Sequence, residues 1–292
     1  MSRALARYRH RPVRYERGAL PNLIVIGAMK CATTSLHWHL DLHPQVVMSR
    51  PKELDFFAGQ RELSARDIEG YRSRFPAHAA IRGESSPNYT KRRKHPGVPA
   101  RIFSVLPDVR FVYILRDPVE RIISHYVHTW ASRVEARRFE DALDDLENNR
   151  FVEPSLYFEQ LSAFLEYYPL SQIHVTTLER LKSHPENTMR AVFRFLGVQS
   201  SFASPDFGQV QHSSRKKRRV TRVGQLARQQ LGRHRVQRLR KTFPIDGLLY
   251  QAEPVPRPIL HDRLRHRLEE RLVDDVRDLR ALTGLAFEEW SL

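Results

Sequence analysis

The sequence holds a single cysteine, Cys31, in 292 residues, so no internal disulfide can staple the fold and no thiolate cluster can hold a metal. One thiol is compatible with a reducing cytoplasm, which is the expected location. No uninterrupted apolar run approaches the roughly 18 residues of a membrane-spanning helix. The first residues carry Arg3, Arg7, Arg9, Arg11, Arg14 and Arg17 without any apolar core, unlike a secretory signal peptide. Residues 1–20 are therefore expected to form a basic arm and 21–292 a single domain. No compact ligand spacing such as His-Glu-x-x-His occurs, and no metal is expected. Negative charge is scarce: 33 Asp plus Glu face 49 Lys plus Arg, a formal net charge of +16. From Phe207 to Ile245 there is no acidic residue at all, while Arg215, Lys216, Lys217, Arg218 and Arg219 run consecutively. Such a chain attracts polyanions, whether nucleic acid, acidic membrane, nucleotide or anionic sugar, and charge alone does not choose among them. With 41% hydrophobic residues the length suffices for a substantial core.

The most informative stretch is 22–43. Leu23 to Ile26 form a short β-branched apolar run, as in a strand buried on both faces of a parallel sheet, and Gly27 ends it. Thr33, Thr34 and Ser35 offer N-cap chemistry, Leu36 and Leu40 repeat at helical spacing, and Pro44 stops the helix. First-turn amides and the helix dipole then face whatever lies beyond the strand end, and Lys30 adds a mobile positive charge. The turn is P-loop-like, yet it lacks the second glycine that Gly-x-x-x-x-Gly-Lys-Ser/Thr requires, which weakens a nucleotide phosphotransferase reading.

Further along, Gln45 to Met48 reads as a second strand, and the Pro51-Lys52-Glu53-Leu54-Asp55-Phe56-Phe57 loop ends in two aromatics. Tyr71 to Phe75 belongs to a helix, and Arg82 to Ser85 reads as a strand turning at Pro87. Val109 to Leu115 is a second buried strand that runs into Arg116-Asp117-Pro118, where Pro118 suits a first helical turn and Asp117 its cap. On that helix Ser124 lies where it can converge with Arg116 on one anion, although Arg116 could also simply pair with Asp117. Phe139 to Leu146, Leu156 to Tyr168 and Thr188 to Leu196 read as helices, Ile173 to Leu178 as a strand. Leu260, Leu264, Leu268, Leu272 and Val276 recur every four residues as a packing helix closed by Gly284, a dimerisation zipper being the alternative. These units imply an α/β fold: an open, mainly parallel sheet with helices on both faces.

The stretch Lys30, Thr33, Thr34, Ser35, Leu36 resembles the 5′-phosphosulfate loop of sulfotransferases that use 3′-phosphoadenosine-5′-phosphosulfate (PAPS), in the bacterial and heparan-sulfate-type form Lys-x-Gly-Thr-Thr-Ser-Leu. Ala32 stands where that family usually has glycine; if the position needs φ > 0, alanine costs roughly 1 kcal/mol. The strand-Arg-Asp-Pro-x-x-Arg-x-x-Ser pattern resembles the family's 3′-phosphate motif. The resemblance implies that Lys30, Cys31, Ala32, Thr33, Thr34, Ser35 and Leu36 hold the 5′-phosphosulfate and that Arg116 and Ser124 hold the 3′-phosphate. One or two of the basic residues from Arg215, Lys216 and Lys217 onward would close over the nucleotide. It also implies that Glu53 acts as general base with Lys30 assisting, with His37, His39, His125 and His128 as rival bases. Ser85 occupies a place where many heparan-type relatives carry lysine. The expected reaction is metal-free transfer of a sulfuryl group to a hydroxyl, on a small molecule or a glycan, leaving 3′-phosphoadenosine 5′-phosphate (PAP). A kinase-like protein and a basic nucleic-acid module are the competing classes.

Overall fold

The computed structural model describes residues 18–59, 62–209, 217–243 and 245–292. The strands are β1 (Leu23–Gly27), β2 (Val46–Met48), β3 (Ile81–Ser85), β4 (Arg110–Leu115), β5 (Ile173–Thr177), β6 (Arg218–Val220) and β7 (Tyr250–Pro254). The helices are α1 (Thr33–Asp41), α2 (Ala65–Arg72), α3 (Val98–Phe103), α4 (Pro118–Ala131), α5 (Phe139–Ala142), α6 (Tyr157–Leu165), α7 (Leu178–Ser183), α8 (Pro185–Leu196), α9 (Arg222–Thr242), α10 (Asp246–Leu249) and α11 (Asp262–Thr283).

Five strands form a parallel sheet in the order β2-β3-β1-β4-β5. β1, buried at every residue, lies between β3 and β4, so the chain runs out to one side of it and then to the other. Ligands of open α/β sheets bind beyond the carboxyl ends of the strands at such a reversal. The two-residue period of the strands divides their side chains between two cores. Leu23 and Val25, with Val112 and Ile114, pack toward Leu36 and Leu40 of α1 and Val192 and Phe193 of α8. Ile24 and Ile26, with Phe111 and Tyr113, pack toward Leu161 and Phe164 of α6 and Val276 and Leu279 of α11.

The four-residue repeat of α11 is a packing stripe, as expected. Leu264, Leu268 and Leu272 meet α4 and α5, while Val276 and Leu279 reach the sheet. Three features depart from the sequence reading. The helix expected from Phe139 to Leu146 stops at Ala142, because Asn149 donates its amide to the carbonyls of Ala142 and Asp145 and substitutes a side-chain turn for the helical ladder. The acid-free run contains the long helix α9, broken at Gly232 where φ is 76°, and the short strand β6, which pairs antiparallel with β7 from beyond the run. The start of α1 is capped by no hydroxyl: Ala32 is the N-cap residue, left-handed, and makes no side-chain cap bond. Among the described residues no helix is long and apolar enough to cross a membrane.

A buried carboxylate fixes the loop that leaves β2. Glu84, fully buried on β3, accepts from Tyr71 Oη at 2.6 Å, Tyr89 Oη at 2.9 Å and Ser86 Oγ at 2.8 Å. Two of these hydroxyls in turn accept backbone amides of the loop, Ser86 from Asp55 at 3.0 Å and Tyr89 from Phe57 at 3.3 Å. The Glu53 amide also donates to the Ser85 carbonyl at 3.1 Å. Burial raises the Glu84 pKa, but three donors let it remain useful as an acceptor. Tyr89→Phe removes the hydroxyl that joins Glu84 to the Phe57 amide and leaves both buried groups short of a partner. Urea denaturation is expected to show a loss of about 1–3 kcal/mol.

Candidate active site

β1 ends at Gly27 because no side chain fits there: a Cβ would lie 2.3 Å from Thr90 Oγ1 and 3.2 Å from Tyr113, and φ is 154°. The chain then turns through Lys30 at φ 75° and Ala32 at φ 66° before entering α1. These two left-handed residues place Lys30 and the first turn of α1 on a cleft of about 1610 Å³. The cleft opens beyond the carboxyl ends of β1 and β4.

Lys30, Ala32, Thr33, Thr34, Glu53, Arg116, Ser124 and Lys217 all line it, together with Met29 and Pro87. The amides of Thr33 and Thr34 fall in the first turn of α1, where no intrahelical acceptor exists, and the helix dipole favours an anion there. Three loop residues expected to contact a ligand do not line the cleft. Cys31 is fully buried, its amide donates to Ala28 and its thiol lies 3.6 Å from Tyr157 Oη; burial pushes that thiol up to about 11. Ser35 is buried behind the turn, and Leu36 packs in the core with its amide spent on the Ala32 carbonyl at 3.0 Å. Arg215 and Lys216 lie outside the described residues.

Positive charge is concentrated here at close range. Lys30 and Lys217 are in hydrogen-bonding contact with one another, and Lys217 also donates to His128 Nδ1. Burial and the neighbouring charge of Lys217, with a smaller contribution from Arg116, pull the Lys30 ammonium down to about 7. Lys217 is lowered as well, by burial. Arg116 does not pair with Asp117, which caps α4 by accepting from the Glu120 amide at 2.8 Å and also holds Ser291. Its guanidinium instead meets Glu120 Oε2 at 2.7 Å, four residues on along the helix. Glu53, at φ 66°, holds Lys52 at 2.6 Å with its own side chain half exposed.

Of the histidines, His37 is buried against Ser85 Oγ at 2.8 Å and pulled down to about 3, chiefly by burial. His39 faces the Gln209 carbonyl, and His125 is buried against Phe151. Neither lines the cleft. His128 does, one helical turn beyond Ser124, a spacing that the sequence carried without marking it. Arg257, Pro258 and Ile259, which also line the cleft, had no signal in the sequence because they follow β7, whose pairing with β6 no local pattern reveals; Leu260, expected in the packing helix, precedes α11 and lines the cleft as well.

The chain belongs to the Sulfotransferase domain family, which it matches over residues 20–242. Among curated relatives it is 31% identical over 202 residues to the Heparan sulfate glucosamine 3-O-sulfotransferase 3A1 of Mus musculus, covering 64% of this chain and 48% of that protein. It is 28% identical over 195 residues to the Bifunctional heparan sulfate N-deacetylase/N-sulfotransferase 1 of Caenorhabditis elegans, covering 62% and 22%. The chain thus spans about half or less of the length of these two relatives. Among solved structures, the Sulfotransferase from Alicyclobacillus acidocaldarius shares the fold with a TM-score of 0.64 at 22% identity, over 94% of this chain and all of that one.

Two expectations follow. Ala32→Gly relieves a left-handed alanine, and the variant should gain about 1 kcal/mol in urea denaturation despite the greater freedom of its unfolded chain. Anion binding should raise the Lys30 pKa that burial and the neighbouring Lys217 lower. Inorganic sulfate keeps its charge across this range, so it isolates the protein's titration. Its thermal stabilisation should be largest near pH 6, where Lys30 is charged in the free protein, and should shrink as pH rises through 7 toward 8.5. Lys30→Met should flatten that dependence.

Proposed function

We propose that the protein is a PAPS-dependent sulfotransferase that moves a sulfuryl group to a hydroxyl of a carbohydrate or glycoconjugate, with Glu53 as general base. The observation that carries this reading is convergence: Lys30, Lys217, Arg116 and Ser124 line one cleft, and Glu53 opens onto it. The names of the heparan sulfate relatives support a carbohydrate acceptor.

In this reading Lys30, Lys217 and the first-turn amides of Thr33 and Thr34 bind the 5′-phosphosulfate, and Arg116 with Ser124 binds the 3′-phosphate. The bond from sulfur to the 5′-phosphate oxygen breaks as a bond from sulfur to the acceptor oxygen forms. The acceptor proton passes to the Glu53 carboxylate, and PAP leaves. Charge accumulates on the departing phosphate oxygen, and two ammonium groups already crowded at that point stabilise it more than they stabilise the ground state. Such transfer is dominated by positioning and charge, as in phosphoryl transfer. The Lys52 pair does not prevent Glu53 from serving as base: at half exposure an ion pair of this kind is worth about 1 kcal/mol or less.

The test is single-turnover transfer from labelled PAPS to a panel of oligosaccharides across a pH series. Glu53→Gln should retain PAP-induced thermal stabilisation and lose on the order of 10²–10⁴ in rate, together with the acid limb of the wild-type pH–rate profile. Arg116→Ala should weaken PAP binding more than Ser124→Ala, because it removes a charge-assisted contact. Retention of the wild-type rate and acid limb by Glu53→Gln, with activity lost in His128→Gln, would transfer the role of base to His128.

A further inference from the structure

Glu120 stands between two arginines. Its Oε2 accepts from Arg116 at 2.7 Å, and its Oε1 accepts from Arg257, which is 137 residues further along the chain. Burial opposes ionisation of this carboxyl, but the two guanidiniums outweigh it and hold its pKa below the ordinary value. All three residues line the cleft, as does Ser124 one helical turn beyond Glu120.

Arg257 reaches this point through the β6–β7 pair. Arg218 lies opposite Pro254 in that ladder, and the Val255 amide donates to the Lys217 carbonyl at 2.7 Å. One small piece of antiparallel structure therefore delivers two cations to one cleft, Lys217 beside Lys30 and Arg257 beside Arg116. The first pair is in direct contact, whereas the second is held together by Glu120. Two guanidiniums converging on two oxygens of one oxyanion is also the geometry with which arginines grip a phosphate.

We propose that Glu120 is a built-in stand-in for the ligand's 3′-phosphate, holding Arg116 and Arg257 in place until that phosphate displaces it, and that Arg257 then becomes a second arginine on the phosphate. This rests on the reading of PAPS as donor. The exchange forms and breaks no covalent bond: both guanidiniums trade a carboxylate for a phosphate, and the freed carboxylate turns to solvent at the mouth of the cleft, where its side chain is already 37% exposed. Glu120 is thus a positioning residue that competes with the ligand it prepares the site for.

The experiment is calorimetric titration of the full chain with PAP and with adenosine 5′-phosphate, which lacks the 3′-phosphate, for wild type, Glu120→Gln, Arg257→Gln and Arg257→Lys. Arg257→Gln should weaken PAP about tenfold and leave adenosine 5′-phosphate within about twofold, with Arg257→Lys recovering part of the loss. Glu120→Gln removes the competing charge and should tighten PAP about three- to tenfold, again without effect on adenosine 5′-phosphate. A purely structural ion pair predicts the opposite sign for Glu120→Gln. Weaker or unchanged PAP binding in that variant overturns the stand-in, and equal effects of Arg257→Gln on both nucleotides overturn the second arginine. Wild-type protein that does not discriminate between the two nucleotides would instead overturn the donor reading itself.

Discussion

The burial of Lys30 in direct contact with Lys217 at the head of the sheet is the constraint around which the rest of the structure is arranged. Burial, the charge of Lys217 against it and the nearby Arg116 pull the Lys30 ammonium down to about 7, and burial lowers Lys217 as well. Each charge arrives by a different route. Lys30 is held by the left-handed turn after β1, Arg116 by the end of β4, and Lys217 by β6. Because β1 and β4 are neighbours in the parallel sheet, the first two open on the same side without any long loop.

The buried guanidinium of Arg121 ties these routes together. It donates to the Met29 carbonyl in the anion loop at 3.4 Å, to Ser155 Oγ and to the Phe151 carbonyl, all neutral acceptors. A charge taken fully out of water is expensive, and only a full set of hydrogen bonds makes it tolerable. The consequence is rigidity: the loop after β1, α4 and the 151–155 segment cannot shift independently without stranding that charge. Lys30 and Arg116 are therefore spaced by a core contact as well as by the sheet.

Much of this was legible in the sequence because it rests on local patterns. The apolar run at Leu23–Ile26, the Arg116-Asp117-Pro118 junction and the four-residue repeat of α11 each follow from strand or helix periodicity, and each is found where its pattern places it. What was not legible depends on long-range pairing or on backbone geometry that side-chain identity does not reveal. Thr33, Thr34 and Ser35 look like cap residues, yet the left-handed Ala32 takes that place. Cys31, Ser35 and Leu36 share a motif with Lys30, but one turn of helix and a buried strand end point them into the core. Arg257 is invisible until β6 and β7 are paired, and although Lys217 was among the candidates, the run of five consecutive cations does not itself say which of them reaches the cleft. The fold, in short, was written in periods; half of the cleft was written in tertiary contacts.

The same distinction bears on which group can take a proton. The sequence offers 14 histidines, and composition makes them attractive bases. Burial disqualifies those nearest the loop: His37, pulled down to about 3 and bonded to Ser85, is a weaker base than an ordinary carboxylate, and His125 lies well below its usual range for the same reason. His128 reaches the cleft, but its Nδ1 accepts from Lys217 and that nitrogen is already engaged. Glu53 has the opposite circumstances, with a half-exposed carboxylate on a loop whose amides are pinned through Tyr89 and Ser86 to the buried Glu84. A base must be both basic and correctly aimed when the hydroxyl arrives. The Glu84 network fixes the backbone that carries Glu53 and would take no part in the proposed proton transfer.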